Sequence, residues 1–221
     1  MSKVFIGVGH GGASDPGAVA NGFKEKDLNL QIALACKDYL IQHGVEVKMS
    51  RTKDENDPLS EEIRECNAFS PDLAVDIHNN AGGGDGAEVF HHHGGGKGKT
   101  LATNILDEVI KIGQNSRGAK TRKNAAGRDY YGFIREITAP AVIVECAFLD
   151  NATDVEILST EGKRKSMGQA IAKGILKTLC VEIQGDRLYR VQVGAYSNKT
   201  NAEAMLKKLK AAGFTGYIKQ E

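Results

Sequence analysis

Segments with strand character alternate with segments of helical periodicity along most of this chain, and this alternation constrains the fold most. Helices that join successive strands give a mostly parallel, twisted sheet flanked by helices on both faces, so we predict an α/β fold. The predicted strands are residues 3–8, 45–50, 73–78, 87–92 and 140–148, with an extended segment at 129–135; the predicted helices are 25–43, 60–69, 99–112, 154–158 and 165–179.

The chain length fits one α/β core with a small appendage, since 221 residues exceed what one such core needs. The alternation of strand and helix patterns is interrupted at residues 181–186. This predicts a main domain at 1–180, a linker at 181–186 and a second unit at 187–221. This unit is predicted to be β-α-β, with strands at 188–196 and 214–219 around a helix at 201–212. It is shorter than the ~40 residues that usually fold unaided, so we expect it to dock on the main domain or pair with a second copy.

Charge and hydropathy exclude several classes of partner. A formal net charge of +1 argues against general electrostatic attraction to nucleic acid. No apolar stretch approaches the ~20 residues of a membrane span, so we expect no membrane partner. The start lacks the apolar region of a secretory signal, which predicts a protein made in the cytoplasm without a signal peptide. Four scattered cysteines fit a reducing compartment and predict no disulfide framework.

The carboxylate of Glu145 interrupts the apolar run at residues 140–148. A buried charge is costly without a partner, so such a residue normally pairs, binds metal or takes part in chemistry. His10 and His78 also follow apolar runs, and the carboxyl ends of parallel strands are where ligands bind. We therefore predict that these three side chains form one site, although a single histidine after a strand is more often a hydrogen-bonded loop residue.

Zinc hydrolase sites use three protein ligands and leave a fourth position for water. His10 and His78 offer two imidazoles, and Glu25, at the start of the first helix, is the candidate oxygen ligand. A carboxylate in a first helical turn is also favoured by the helix dipole alone, so spacing leaves its role open. Asp76 shares a strand face with His78 and is either its hydrogen-bond partner or a charge at the sheet edge.

Four motifs resemble one enzyme family. They are Val8-Gly-His10-Gly-Gly with Asp15-Pro-Gly-Ala, Asn21-Gly-Phe-Lys-Glu25, Asp76-Ile-His78-Asn-Asn, and Pro140-Ala-Val-Ile-Val-Glu145-Cys-Ala-Phe. In this order across residues 3–180, they are similar to the zinc-dependent N-acetylmuramoyl-L-alanine amidases of the third amidase type. The family commonly has Asp-Pro before Gly-His and Ser before Ile-His, where this chain has Gly7-Val8 and Asp76; neither change removes a ligand.

The resemblance implies a phosphorylase/hydrolase-like α/β fold with His10, Glu25 and His78 as Zn²⁺ ligands and Glu145 as the catalytic carboxylate. The implied reaction hydrolyses the amide between the lactyl group of N-acetylmuramic acid and L-alanine in peptidoglycan. Such an enzyme lyses cell walls as a phage endolysin released through a holin, or as an autolysin after mother-cell lysis. The alternatives are a non-catalytic peptidoglycan-binding protein and a zinc peptidase that cuts within the stem peptide.

Further residues are candidates for contacts around this site. Arg117 and Tyr131 lie in segments that resemble family segments lining the substrate cleft, and Asn79 follows His78; all three are predicted to bind substrate. Arg117 would meet a stem-peptide carboxylate, with an ordinary solvated arginine as the alternative. Glu88 is predicted to lie close behind the site. Cys146 should face the core, because adjacent strand residues point in opposite directions, and this excludes a cysteine nucleophile.

The triplet His91-His92-His93 has three interpretations, one of which is the rim of a substrate groove. A second metal is the first, but on a strand His91 and His93 share one face while His92 points away. We therefore favour an exposed strand end beside the Gly94-Gly-Gly turn.

The C-terminal unit resembles the SPOR domain, a peptidoglycan-binding module, of which it has one β-α-β unit where two are usual. This half module predicts a homodimer that would add avidity on a repeating polymer. Gln192, Tyr196 and Tyr217 are its candidate sugar contacts.

Overall fold

The computed structural model describes residues 1–183 and 192–219. The strands are β1 (Lys3–Val8), β2 (Val19–Ala20), β3 (Phe23–Lys24), β4 (Glu46–Met49), β5 (Leu73–Asn80), β6 (Ala87–His91), β7 (Ser116–Lys120) and β8 (Ala141–Phe148). The helices are α1 (Glu25–Gln42), α2 (Leu59–Phe69), α3 (Gly96–Ile110), α4 (Gly132–Glu136), α5 (Ala152–Leu158), α6 (Glu161–Thr178) and α7 (Lys199–Ala211). The chain divides into two compact units, Met1–Ile183 and Gln184–Glu221. None of the described helices is both long and apolar enough to cross a membrane.

Six strands of the first unit form one sheet in the order β4-β1-β5-β8-β6-β7. Every neighbouring pair is parallel except β6 and β8, which are antiparallel. The prediction of a mostly parallel α/β sheet is therefore confirmed. The short strands β2 and β3 form a separate hairpin that leads directly into α1.

The two faces of the sheet pack against different helices. The larger apolar cluster lies between the sheet and α1, α3 and α6, and it includes Ile77, Val144 and Cys146. The smaller cluster includes Phe133 and Ile134 of α4 and Cys66 of α2. Because side chains alternate along β5 and β8, Asp76, His78 and Glu145 point toward the second face. The expectation that Cys146 faces the core is confirmed, and its side chain is fully buried.

Two segments of the first unit differ from the sequence-based expectation. The predicted extended segment at residues 129–135 is wrong, because Gly132–Glu136 forms α4. The adjacent residues Phe133 and Ile134 are buried in one cluster, which a strand would not allow since it points neighbours in opposite directions. Strand β7 was not predicted. Its sequence, Ser-Arg-Gly-Ala-Lys, has no apolar alternation because it lies at the edge of the sheet.

In the second unit, α7 is the only regular element among the described residues. The side chain of Asn198 caps α7 by accepting a hydrogen bond from the backbone N–H of Thr200. The predicted strand at residues 214–219 is not formed, and a strand without a paired neighbour has unsatisfied backbone groups. Of the predicted strand at 188–196, residues 188–191 lie outside the described residues, and 192–196 have no strand structure.

Candidate metal centre

Three separate elements bring His10, Glu25 and His78 together. His10 follows β1, Glu25 is the first residue of α1, and His78 lies near the end of β5. Nε2 of His10 is 3.2 Å from Oε2 of Glu25, and Nδ1 of His78 is 3.1 Å from Oε1 of the same carboxylate. Two imidazoles therefore converge on one carboxylate at the carboxyl ends of the strands, where the sequence predicts the site.

The spacing of these donor atoms fits a zinc ion. The three ligand atoms all lie within 4.8 Å of one another. A tetrahedral Zn²⁺ with bonds of about 2.1 Å holds neighbouring ligand atoms roughly 3.4 Å apart, close to the separations found here. Two imidazole nitrogens and one carboxylate oxygen are also donors that zinc prefers.

Each histidine is oriented by a second carboxylate. Nδ1 of His10 lies 2.8 Å from Oδ1 of Asp15, and Nε2 of His78 lies 3.1 Å from Oδ2 of Asp76. A proton on each of these nitrogens leaves Nε2 of His10 and Nδ1 of His78 free to bind metal. His10 has a φ of 61°, a left-handed conformation that non-glycine residues adopt only when the surrounding structure enforces it.

The carboxylate of Glu25 is fixed by backbone donors. The N–H of Ala18 donates to Oε2 at 2.9 Å, and the N–H of Asn79 donates to Oε1 at 3.1 Å. Burial alone would raise the pKa of Glu25, but hydrogen bonds with His10 and His78 outweigh burial and hold the pKa well below its usual range. The carboxylate is therefore charged and correctly oriented.

Two residues that position this site were not found by sequence reasoning. Asn29 Nδ2 donates to the backbone oxygen of Gly9 at 2.9 Å and contacts Glu25 Oε1 at 3.3 Å. The buried guanidinium of Arg51 donates to the backbone oxygens of Val8 and Lys26 at 3.1 and 2.9 Å. A polar residue four positions after Glu25, on the buried face of α1, was the available signal for Asn29. Arg51 had none, because its partners are main-chain oxygens.

The departures from the family pattern at Gly7 and Asp76 are linked in space. These residues pair in register on β1 and β5. A Cβ at position 7 would lie 2.7 Å from Oδ1 of Asp76 and 2.3 Å from Oε1 of Glu62. Glycine at position 7 therefore makes room for two buried carboxyl groups beside His78. Burial, together with Asp76 and Asp57, raises the pKa of Glu62 well above its usual range.

Glu145 lies beside the metal-binding group on the same face of the sheet. It pairs in register with His78 on β5 and with Glu88 on β6, so the three side chains form a row. Its Oε2 is buried without a hydrogen-bond partner among the described residues. Burial raises its pKa to about 7, with His78 acting in the opposite direction and Glu25 adding to the rise. A carboxylate with such a pKa suits proton transfer near neutral pH.

Of the residues predicted to bind substrate, Arg117 and Tyr131 flank this row. Arg117 Nε donates to Oε2 of Glu88 at 2.7 Å, and its guanidinium lies 4.9 Å from the centre of the Phe148 ring. Tyr131 is half-buried, and its ring centre lies 4.9 Å from that of Phe90. Glu88 is thus next to Glu145, as expected.

Three other residues predicted to bind substrate are Asn79, Gln192 and Tyr196. The Asn79 side chain is 2% exposed, and its Nδ2 donates to Asn29 Oδ1 at 2.8 Å. Together with its backbone contact to Glu25, this favours a positioning role over direct substrate contact. Gln192 and Tyr196 are exposed residues of the second unit.

The expectation for the histidine triplet was partly wrong. His91 is 5% exposed rather than at an open strand end, and β6 ends there, so the strand alternation does not extend to His92 and His93. Both rings contact Asp129 instead.

Comparison with known proteins gives the same picture. The family model described as N-acetylmuramoyl-L-alanine amidase matches residues 4–177. The chain is 35% identical over 222 residues to N-acetylmuramoyl-L-alanine amidase CwlM of Bacillus licheniformis, covering 99% of this chain and 85% of that protein. It is 34% identical to the sporulation-specific N-acetylmuramoyl-L-alanine amidase of Bacillus subtilis (strain 168), covering 99% and 84%. The solved catalytic domain of CwlV from Bacillus (Paenibacillus) polymyxa var. colistinus superposes with a TM-score of 0.73 at 30% identity, covering 82% of this chain and 100% of that one.

A SPOR domain model matches residues 164–220. The first part of this match overlaps α6, whose residues Met167, Ile171 and Ile175 are fully buried in the core of the first unit. Only the part beyond α6 is therefore free to form a separate module. The chain belongs to the N-acetylmuramoyl-L-alanine amidase family, the zinc-dependent hydrolases of cell-wall peptidoglycan, and carries a C-terminal SPOR domain.

Proposed function

We propose that His10, Glu25 and His78 hold a catalytic Zn²⁺ and that Glu145 transfers the protons of the reaction. The bond cut is the amide between the lactyl group of N-acetylmuramic acid and L-alanine, and the protein acts at the cell wall. The convergence of two imidazoles and one carboxylate beside a buried carboxylate without a partner carries this proposal.

The chemistry divides between the ion and the protein. When bound, zinc polarises the amide carbonyl and lowers the pKa of a water molecule. Glu145 accepts a proton from the attacking water as the new C–O bond forms. It then delivers that proton to the alanine nitrogen as the C–N bond breaks. The products are a lactyl carboxylate and a stem peptide with a free L-alanine amino group.

The neighbouring side chains position the reactants in this scheme. Asn79 and Asn29 hold Glu25, while Asp15 and Asp76 hold the two imidazoles. We assign the terminal nitrogens of Arg117 to a stem-peptide carboxylate, because its Nε is already bonded to Glu88 and the side chain is partly exposed. Tyr131 would line the same cleft.

The identity of the bond can be tested by mass spectrometry of digested, purified peptidoglycan. We expect peptides with a free L-alanine amino terminus and glycan strands with free lactyl carboxylates, with release abolished by a chelator and restored by Zn²⁺. A stem-peptide peptidase would instead leave the lactyl–alanine amide intact. Binding to the wall without any release would identify a non-catalytic binding protein, and release that resists the chelator would contradict the zinc mechanism.

The second unit is proposed to bind peptidoglycan and to pair with a second copy. Among the described residues of this unit, the exposed large apolar ones are Val193, Tyr196, Phe214, Tyr217 and Ile218. Met205, Leu206 and Leu209 form a half-buried apolar stripe on α7, which has no fully buried residue. Gln192 and Tyr196 are the proposed sugar contacts.

This pairing predicts that the full chain is a dimer in solution and that residues 1–183 alone are a monomer. Light scattering coupled to size-exclusion chromatography measures both masses. A monomeric full chain at all concentrations would show that the half module works singly.

A further inference from the structure

A second group of two histidines and a carboxylate lies away from the row formed by His78, Glu145 and Glu88. It consists of His92, His93 and Asp129, here called the distal cluster. Glu88 of β6 pairs with Glu145, and the antiparallel register carries His91, the last residue of β6, back to Val142 near the start of β8. The distal cluster follows His91 and so belongs to the opposite end of the sheet.

The donor atoms of the distal cluster are close enough together to bind a single ion. Nε2 of His92 lies 3.1 Å from Oδ2 of Asp129, and Nδ1 of His93 lies 2.8 Å from the same oxygen. The two rings stack with centres 4.6 Å apart. The donor atoms all lie within 4.8 Å of one another. The end of β6 at His91 allows these consecutive residues to face the same carboxylate.

The same molecule provides a reference for this arrangement. At the centre formed by His10, Glu25 and His78, one imidazole approaches the carboxylate through Nε2 and the other through Nδ1, at 3.2 and 3.1 Å. The distal cluster has the same donor types, the same combination of nitrogens and similar distances. It thus meets the geometric criteria that the catalytic centre meets.

Asp129 gives an independent reason for a cation. Its side chain is 3% exposed, and its Oδ1 accepts a hydrogen bond from the backbone N–H of His93 at 2.9 Å. Among the described residues, no lysine or arginine forms an ion pair with this carboxylate; its charged partners are His92 and His93 only. A carboxylate as deeply buried as this one is stabilised by positive charge nearby, which a bound dication would supply.

We propose that the distal cluster is a second metal site that binds Zn²⁺ or a similar divalent transition-metal ion. Two imidazoles and one carboxylate favour such ions over Mg²⁺ and Ca²⁺, which prefer oxygen ligands. The backbone N–H of Gly94 donates to Nδ1 of His92 at 3.0 Å, and this bond is lost on metal binding because that nitrogen then carries the proton. The ion ties the loop that leads to α4 to the end of β6, so its role is structural.

The stoichiometry of bound zinc tests this proposal without measuring activity. The full chain is stripped of metal, incubated with Zn²⁺, freed of excess ion and analysed by plasma mass spectrometry. We expect about two zinc ions per chain for the wild type and about one for His93→Gln and for Asp129→Asn. His43→Gln replaces a histidine outside both clusters and should keep about two. An excess of Mg²⁺ or Ca²⁺ should displace neither ion.

Substitutions at the catalytic centre, alone and combined with one in the distal cluster, distinguish the two zinc sites. His78→Gln should lose one zinc and keep the other, and combining it with His93→Gln should remove both. His92 is 53% exposed in its side chain, so His92→Ala provides the same test if Asp129→Asn does not fold. A wild-type chain with about one zinc, or a second zinc that survives His93→Gln and His92→Ala, would overturn the proposal.

Discussion

Replacing Glu145 with glutamine is expected to lower kcat on purified peptidoglycan by about 1000-fold while the protein stays folded and keeps its catalytic zinc. Glutamine has the same shape as glutamate but cannot accept a proton from water or return one to the leaving amine. Because Oε2 of Glu145 has no hydrogen-bond partner among the described residues, the change breaks no hydrogen bond at this atom, and the fold should tolerate it. Initial rates of amine release, bound zinc and the melting temperature are the three measurements.

Cys146→Ala is the matched control for this experiment. Cys146 is the next residue of β8, but its side chain is buried in the core on the other face of the sheet. We expect its kcat to stay within a few-fold of the wild type and its melting temperature to fall slightly. If Glu145→Gln kept a tenth or more of the turnover, Glu145 would not be the proton-transfer group. If Glu145→Gln lost its zinc, Glu145 would belong to the metal-binding set.

The sequence was sufficient to predict five of the six strands of the sheet and the grouping of His10, His78 and Glu145. Parallel strands joined by helices bring their carboxyl ends to one edge, so residues far apart in sequence meet there. In the structure, the parallel pairing of β5 with β8 places Glu145 opposite His78. The choice of Glu25 as third ligand came from the family resemblance, since a carboxylate in a first helical turn has an ordinary electrostatic explanation.

The supporting contacts could not be predicted from the sequence, for a physical reason. Arg51 binds main-chain oxygens, which every residue has, so no residue pattern marks its partners. Helix α3 and strand β7 separate Asp129 from the two histidines along the chain, and both imidazoles can face Asp129 because β6 ends at His91. Gly7 and Glu62 are close through the packing of α2 on β1, which neither segment shows alone. The hydrophobic periodicity of a helix or strand indicates which of its faces is buried. It does not show which polar groups from other elements come into contact with that face.

Gly9→Ala is expected to lower the affinity for the catalytic zinc by about 100-fold and to reduce turnover accordingly, although residue 9 is not a ligand. A Cβ at this position would lie 2.2 Å from Cε1 of His78 and 2.4 Å from its Nδ1 and Nε2. Side-chain atoms do not approach so closely, so either the main chain or the imidazole ring must move.

The main chain at Gly9 is held on both sides. Its N–H donates to the backbone oxygen of Ile77 at 3.0 Å, and its carbonyl oxygen accepts from Asn29 Nδ2 at 2.9 Å. The ring of His78 is therefore the part that must move, and it loses its contact with Asp76 and its alignment with Glu25. The loss of these buried contacts should lower the melting temperature of the zinc-free protein, but the protein should stay folded because the rest of the core is untouched.

Zinc titration of the metal-free Gly9→Ala variant measures the loss of zinc affinity. Turnover at saturating zinc then measures any loss of activity that remains once the site is filled. Gly162→Ala is the control, because a Cβ there would be 3.9 Å from Oγ1 of Thr160, its nearest neighbour, and both affinity and turnover should match the wild type. Recovery of full turnover with excess zinc would mean that only binding was weakened. Unchanged zinc affinity in Gly9→Ala would show that the ring of His78 does not lie against Gly9 when the ion is bound, and this would contradict the ligand geometry on which the mechanism depends.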